Sequence, residues 1–583
     1  MLFLYKLNLV MTLRCLVAFC ALFALPTLTR AQKSIKEIPK GWHLLDVKEN
    51  GFYGIGVEKV YGTLLKDKKP KQEVIVAVID SGIDTTHEDL KSVLWINKKE
   101  IPGNMIDDDN NGYIDDIHGW NFLGNKDGRN VGKDSYEAAR MYYRYKPRFE
   151  NLADSTSLSA EEKEQYRMYL KAKYQIETQG KEASLTVMLM KNVVERVPVA
   201  DSVIRAAWGK EVYTGDQLLA FKPATMEQNR AKSLMLGLFQ STEETEFTNT
   251  RLVTEIKEYY DREKSKVEIM EAPPIDYRNS VVGDNYEDIN DRYYGNNDIM
   301  GTDPRHGTHV AGIIGAQRAN GKGVDGVANS VKLMILRAVP DGDEHDKDIA
   351  NAIRYATENG AKVINMSFGK SFSPHKKWVD DAVKFAENKG VLMVHAAGNE
   401  SANLDSVDNY PNPLITGSNK KTTNWITVGA SGPTESKLVP YFSNYSKHEV
   451  DVFAPGSNIY SSVPGGDQYA AEDGTSMASP VVAGVAALIM SYYPELSPAQ
   501  IKASIEKSAS PLEIKVAKPV KGGGEENMTL IPFSELSRSG GVINAYEAVK
   551  LADAMSKTKT NTQEKPKPAP LPKSTIKKAP VKG

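Results

Sequence analysis

From Glu73 onward the chain alternates between continuous apolar runs and segments of helical period. Val74–Ile79 is an unbroken, β-branched apolar run of the kind that forms a strand buried on both faces. Residues 331–339, 362–366, 391–397 and 425–428 repeat that pattern, and 450–453 is a shorter version. Between them Ile349, Ala352, Ile353 and Ala356 make one helical face that stops at Gly360, and Ser497-Pro498 caps and opens another helix through Ile501 and Ile505. The alternation predicts an α/β fold, a mostly parallel sheet with helices on both faces.

One stretch breaks the pattern. Residues 125–294 carry no buried-strand run. Ser159-Ala-Glu-Glu162 and Thr225-Met-Glu-Gln228 instead read as capping boxes opening long, charged, amphipathic segments. A mainly helical insertion is expected here, dividing the α/β domain into residues 71–124 and 295–556. Both its ends join the same edge of the sheet, so its helices are expected either to restrict access to that edge or to form a peripheral subdomain.

Composition changes the picture mainly at the two ends. Lys6 and Arg14 precede an apolar run, Cys15–Leu25, followed by Thr29-Arg30-Ala31. This is the pattern of a signal peptide over residues 1–31, with Gln32 as the mature N-terminus and 32–70 as an N-terminal extension. The run of about eleven residues is short of the ~20 that span a bilayer, so no transmembrane segment is expected in the mature chain. The protein is therefore expected to be exported, to a periplasmic or extracellular location. Both cysteines, Cys15 and Cys20, fall inside the signal, which leaves no disulfide or thiol chemistry. Residues 557–583 hold eight lysines, five prolines and one glutamate, the composition of a disordered tail. The net charge of −2 conceals this basic tail against an acidic body. Nothing in that pattern points to nucleic acid.

Four residues carry candidate chemistry. Asp80 ends the first strand, His306 opens an apolar helix, Asn399 follows the strand at 391–397, and Ser476 stands at the start of the helix containing Val481–Met490. All four fall at strand carboxyl ends or helix N-termini, the edge at which open α/β sheets bind ligands. A serine hydroxyl needs a base within reach, histidine has a suitable pKa, and a carboxylate fixes the imidazole tautomer. The Asn399 amide and the Ser476 backbone N–H supply donors for an oxyanion. Singly, each residue has an ordinary explanation as a cap, a turn former or a satisfied core histidine. Their joint occurrence in three seven-residue phrases does not.

Those phrases are Val-Ile-Asp-Ser-Gly-Ile-Asp (78–84), His-Gly-Thr-His-Val-Ala-Gly (306–312) and Gly-Thr-Ser-Met-Ala-Ser-Pro (474–480). In content and order they resemble the signature blocks of the subtilisin-like (subtilase) serine peptidases. The resemblance covers about 71–122 and 299–551. It implies a serine endopeptidase acting on peptide or protein substrates through an acyl-enzyme, and it assigns the base to His306 and not His309. It also implies that Ser367 to Gly369, in Val-Ile-Asn-Met-Ser-Phe-Gly (363–369), pairs with the substrate backbone. Two features depart from the family pattern. Asp80 and His306 lie 226 residues apart, and residues 32–70 are short for a folding-assistant propeptide. A catalytically inactive binding scaffold is the alternative from another class, and it is disfavoured because all four residues are present. An esterase is disfavoured by the strand-pairing edge.

A structural calcium site is expected in residues 107–116. Asp107, Asp109, Asn111 and Asp116 place hard oxygens at loop spacing, and Gly112 makes the turn. The glutamate that would complete an EF-hand is absent, His118 standing in its place. Asp89 matches a structural calcium ligand of the resembled family.

Overall fold

The computed structural model describes residues 38–240, 247–418, 420–520 and 529–563. The signal-peptide reading and the Lys/Pro-rich stretch from residue 564 onward lie outside them.

Seven strands form one sheet: β1 (Val74–Asp80), β2 (Gly119–Asn121), β3 (Val331–Arg337), β4 (Val363–Met366), β5 (Leu392–Ala396), β6 (Trp425–Ser431) and β7 (Val452–Pro455). Their order is β2-β3-β1-β4-β5-β6-β7, and every neighbouring pair is parallel. Two-faced burial explains the unbroken apolar runs. Val76, Val78, Leu333, Val394 and Ile426 pack into one core, whereas Ala77, Ile79, Leu336, Ile364 and Met393 pack into a second on the opposite face. Strand periodicity alone assigns neighbours in one run to opposite cores.

The helices divide between these cores and a separate helical segment. In chain order they are α1 (Glu137–Phe149), α2 (Ala160–Trp208), α3 (Met226–Phe239), α4 (Asn249–Glu271), α5 (Arg305–Gly315), α6 (Asp346–Glu358), α7 (Lys376–Asn388), α8 (Thr475–Tyr492), α9 (Pro498–Ser508) and α10 (Ala545–Gln563). Residues of α5, α8, α9 and α10 fill the first core, and α6 and α7 cover the second. Helix α8 is long and apolar enough to cross a membrane, yet 94% of it is buried inside the protein, so it is a core helix.

Helices α1–α4 belong to the segment between β2 and α5. The segment departs and returns at one place: Asn121 and Asn296 exchange backbone hydrogen bonds of 2.9 and 3.1 Å. Ser159 forms a full capping box with Glu162 at the start of α2, a helix of 49 residues. Thr225 accepts from the Gln228 amide, but the Gln228 side chain reaches Ala224 instead, so only half of that box forms. Two apolar clusters hold these helices together, one among α2, α3 and α4 and one between α1 and α2.

Three differences from the sequence reading have local causes. Strand β2 is three residues long and contains Gly119, too short for a periodicity signal. The hairpin of β8 (Ile459–Val463) and β9 (Gln468–Glu472) is antiparallel, and β9 is only half-buried, so it lacks an apolar run. Helix α10 continues to Gln563, into the stretch expected to be tail, because the first proline arrives only at Pro566.

Candidate active site

Asp80 is the last residue of β1 and is buried. Its Oδ1 accepts from the Ser81 backbone at 2.8 Å and faces His306 Nδ1 at 2.7 Å. Arg337, paired with Asp80 across the sheet, fixes the turn behind it by donating to the Ser81 carbonyl and to Asn121 Oδ1. His306 lies in the first turn of α5, with its side chain about 40% exposed. That turn approaches β1 closely, since a Cβ on Gly307 would lie 2.2 Å from the Gly82 carbonyl oxygen. Only glycine fits after His306. Burial alone would lower the His306 pKa, but the charge and hydrogen bond of Asp80, helped by Glu472 and Asp303, raise it to about 9.

His309, one turn further, has a different environment. It is fully buried, its Nε2 faces the Ala470 carbonyl at 3.2 Å, and burial lowers its pKa. It supports the β8–β9 hairpin and does not reach Asp80.

Ser476 occupies the first turn of α8. Its Oγ donates to the Ser367 carbonyl at 3.0 Å, and Ser367 Oγ donates back to the Ser476 carbonyl at 2.9 Å. Among the described residues no hydrogen bond joins Ser476 to His306, so the serine rotamer seen here is turned toward β4. Asn399 follows β5, and its Oδ1 accepts from both the backbone N–H and the hydroxyl of Thr475, at 2.9 and 3.0 Å. Because the backbone of Thr475 can only donate there, the amide orientation is set, and Asn399 Nδ2 is left as the outward donor. Thr475 in turn accepts from Gly398 N–H through its hydroxyl at 3.0 Å. It is a positioning residue that the sequence reading missed, although it lies in the Gly-Thr-Ser phrase.

The chain beyond β4 is fixed from below. Ser367 Oγ accepts from Asn365 Nδ2, which is itself held through Oδ1 by Ser479. His395 on β5 faces the Phe368 carbonyl at 2.8 Å and is wholly buried, which pushes its pKa down to about 4 and keeps it neutral. A neutral ring there must carry its proton on Nε2. Gly369 lies against Asn409, whose Oδ1 would be 2.6 Å from an added Cβ.

The acidic loop is only partly as expected. Gly112 has φ of +96° and sits under the Tyr293 ring, so it does make the turn. Asp107 and Asp109 converge with Glu100, their carboxylate oxygens lying within 4.8 Å of one another. Glu100 was not anticipated, because it lies outside the alternating motif. Asp116 and Asn111 do not join this group. Asp116 is turned into the core, accepting from Asn97, Asn111 and the Tyr355 hydroxyl, and the Asn111 amide is spent on Asp116. In this structure both therefore lie outside the cluster of Glu100, Asp107 and Asp109. Asp89 is likewise satisfied by Asn320 at 2.6 Å and the Tyr469 hydroxyl at 2.8 Å.

Comparison with known proteins matches this architecture. The subtilase family model covers residues 71–531. The major intracellular serine protease of Bacillus subtilis is 36% identical over 43% of this chain and 75% of its own length. Thermitase of Thermoactinomyces vulgaris is 36% identical over 39% of this chain and 77% of its own. A thermophilic serine proteinase of Bacillus sp. AK1 is 41% identical over 32% of this chain, which spans 42% of that relative. With its parallel sheet, the Asp80–His306 pair at the sheet edge and a family match over most of its length, the chain belongs to the subtilase family of serine endopeptidases.

Proposed function

We propose that this chain is an exported endopeptidase in which Ser476 is the nucleophile, His306 the general base, Asp80 its orienting carboxylate and Asn399 the side-chain oxyanion donor. The 2.7 Å contact of Asp80 with His306 Nδ1 carries the reading, because it leaves Nε2 as the ring nitrogen available to a serine. The reading requires Ser476 to rotate about χ1, away from the Ser367 carbonyl, so that its Oγ meets that nitrogen. His306 then takes the hydroxyl proton as Oγ attacks the scissile carbonyl. The oxyanion accepts from Asn399 Nδ2 and the Ser476 backbone N–H, at the positive end of α8. The protonated imidazole returns its proton to the leaving amine, and water hydrolyses the acyl-enzyme by the same steps in reverse.

Ser367 to Gly369 supplies the edge against which an extended peptide backbone pairs. Substrates are therefore extended peptides or unfolded segments, and helices α1 and α2 beside that edge disfavour folded proteins. Export rests on the basic, apolar and small-residue order of residues 1–31. N-terminal sequencing of the exported protein tests it, with Gln32 as the expected first residue. A mixed peptide library, with cleavage products read by mass spectrometry, tests the activity: internal cleavage of unstructured peptides is expected.

We also propose that the acidic loop binds a structural calcium ion through Glu100, Asp107 and Asp109. The fit rests on Glu100, which is 6% exposed and, among the described residues, has two backbone donors as its hydrogen-bond partners, Asp109 and Asp115. Burial and the charges of Asp109 and Asp108 raise its pKa. A hard divalent cation relieves that repulsion and suits an all-oxygen donor set.

A further inference from the structure

The helical segment reaches the sheet domain beside the chain that leaves β4. Lys370, directly after Gly369, is buried, and its Nζ lies 2.9 Å from Glu137 Oε2 and 2.8 Å from Asp346 Oδ1. It also donates to the Glu344 carbonyl at 2.8 Å. Glu137 is the first residue of α1, and Arg140 one turn on grips both of its oxygens, donating to Oε2 at 2.8 Å and to Oε1 at 3.3 Å. Asp346, at the start of α6, further accepts from Ser373 and from the backbone of His375. Two residues past Lys370, Phe372 is buried in the apolar cluster that α1 and α2 form with residues such as Tyr142 and Tyr169.

The same helices hold the second wall of this region. The backbones of Lys370 and Tyr410 exchange hydrogen bonds of 3.0 and 2.9 Å, which ties the loop after Asn399 to the end of the β4 edge. Lys171 on α2 then bridges both loops, donating to the Ser371 carbonyl at 2.9 Å and to Asp408 at 2.7 Å. Residues 370–372 and 408–410 are thus clasped by one ion network, one apolar cluster and one bridging lysine. Surface ion pairs alone contribute little, but a buried lysine with two carboxylates defines a single geometry for its backbone.

We propose that the helical segment is a specificity-determining part of the peptide cleft, in which Glu137 and Phe372 are positioning residues that hold the Ser367–Gly369 edge in register for extended substrates. This inference rests on the reading that the edge pairs with substrate. Its consequence is selective. Residues of the substrate that lie along the edge are bound less well when the clasp loosens, whereas chemistry at Ser476 is expected to be unchanged, because the clasp begins at Lys370, three residues beyond the Ser367 carbonyl that accepts from Ser476 Oγ.

The test compares wild type, Glu137→Gln and Phe372→Leu on a short ester and on a peptide extending several residues to the amino side of the scissile bond. Rates are counted per site labelled by a fluorophosphonate, so that unfolded protein does not contribute. Wild type is expected to gain kcat/KM with peptide length. Each variant is expected to raise KM for the long peptide by about tenfold, with its kcat and the ester rate within about twofold of wild type. Glu137→Asp, which keeps the charge, is expected to recover most of the KM. Unchanged KM in folded, labelled variants, or an equal fall on ester and peptide, overturns the positioning role. A wild type with no gain from peptide length removes the edge reading and this inference with it. Should Glu137→Gln not fold, Phe372→Leu decides alone, since it changes no charge.

Discussion

His306 Nδ1 and Asp80 Oδ1, contributed by residues 226 positions apart in the chain, lie 2.7 Å from each other at the carboxyl edge of the sheet. The pairing sets the tautomer of the imidazole and also its acidity. A base must be neutral to accept a proton, and the Asp80 charge raises the His306 pKa to about 9. On the free enzyme, kcat/KM is therefore expected to rise with pH, with its limb well alkaline of an ordinary histidine at about 6.5. A pH profile on a neutral peptide checks this, and a limb near pH 6 to 7 contradicts it. Asp80→Asn is expected to lower kcat on the order of 10⁴-fold, since the ring loses its orienting acceptor.

Asn399→Ala is expected to lower kcat by ~10²–10³ with little change in KM, because its amide acts once charge has developed on the carbonyl oxygen. Thr475→Val removes the hydroxyl that donates to Asn399 Oδ1 and accepts from Gly398. A smaller fall of about tenfold in kcat is expected there, again without a KM effect. Steady-state kinetics on one peptide settles both. A rise in KM alone marks Asn399 as a ground-state contact.

Calcium is expected to raise the melting temperature in proportion to the logarithm of its concentration, and chelator to lower it, because an ion bound only to the native state stabilises by mass action. Glu100→Gln combined with Asp109→Asn is expected to abolish the dependence, whereas Asp116→Asn lowers stability without abolishing it. A calorimetric melt of the wild type that ignores calcium removes the site.

Much of the sheet domain was legible because its strands are buried on both faces. The runs beginning near Val74, Val331, Val363, Leu392 and Trp425 are mostly apolar, and each became a strand of the sheet. Strands β8 and β9 gave no such signal, since a partly exposed hairpin mixes polar and small residues. The candidate residues were legible as phrases, and Asp80 and His306 meet as those phrases imply. The acidic loop was less so. Spacing identifies which residues share a loop but not which way each turns, and Asp116 turned toward Tyr355 while Glu100 turned in. The clasp around Lys370 was not legible at all. It joins α1 to α6 and to the chain after β4, both more than two hundred positions further on, and no local pattern marks such a network.

The central claim is that Ser476 is the nucleophile of a peptide-bond hydrolase. The most direct measurement is fluorophosphonate labelling of wild type and Ser476→Ala, with the modified peptide identified by mass spectrometry and hydrolysis of an unstructured peptide followed in parallel. Wild type is expected to carry one label on the peptide containing Ser476 and to lose activity in step with labelling. The folded alanine variant is expected to show neither label nor cleavage. Labelling that persists in Ser476→Ala, or wild-type cleavage that survives full labelling, contradicts the account.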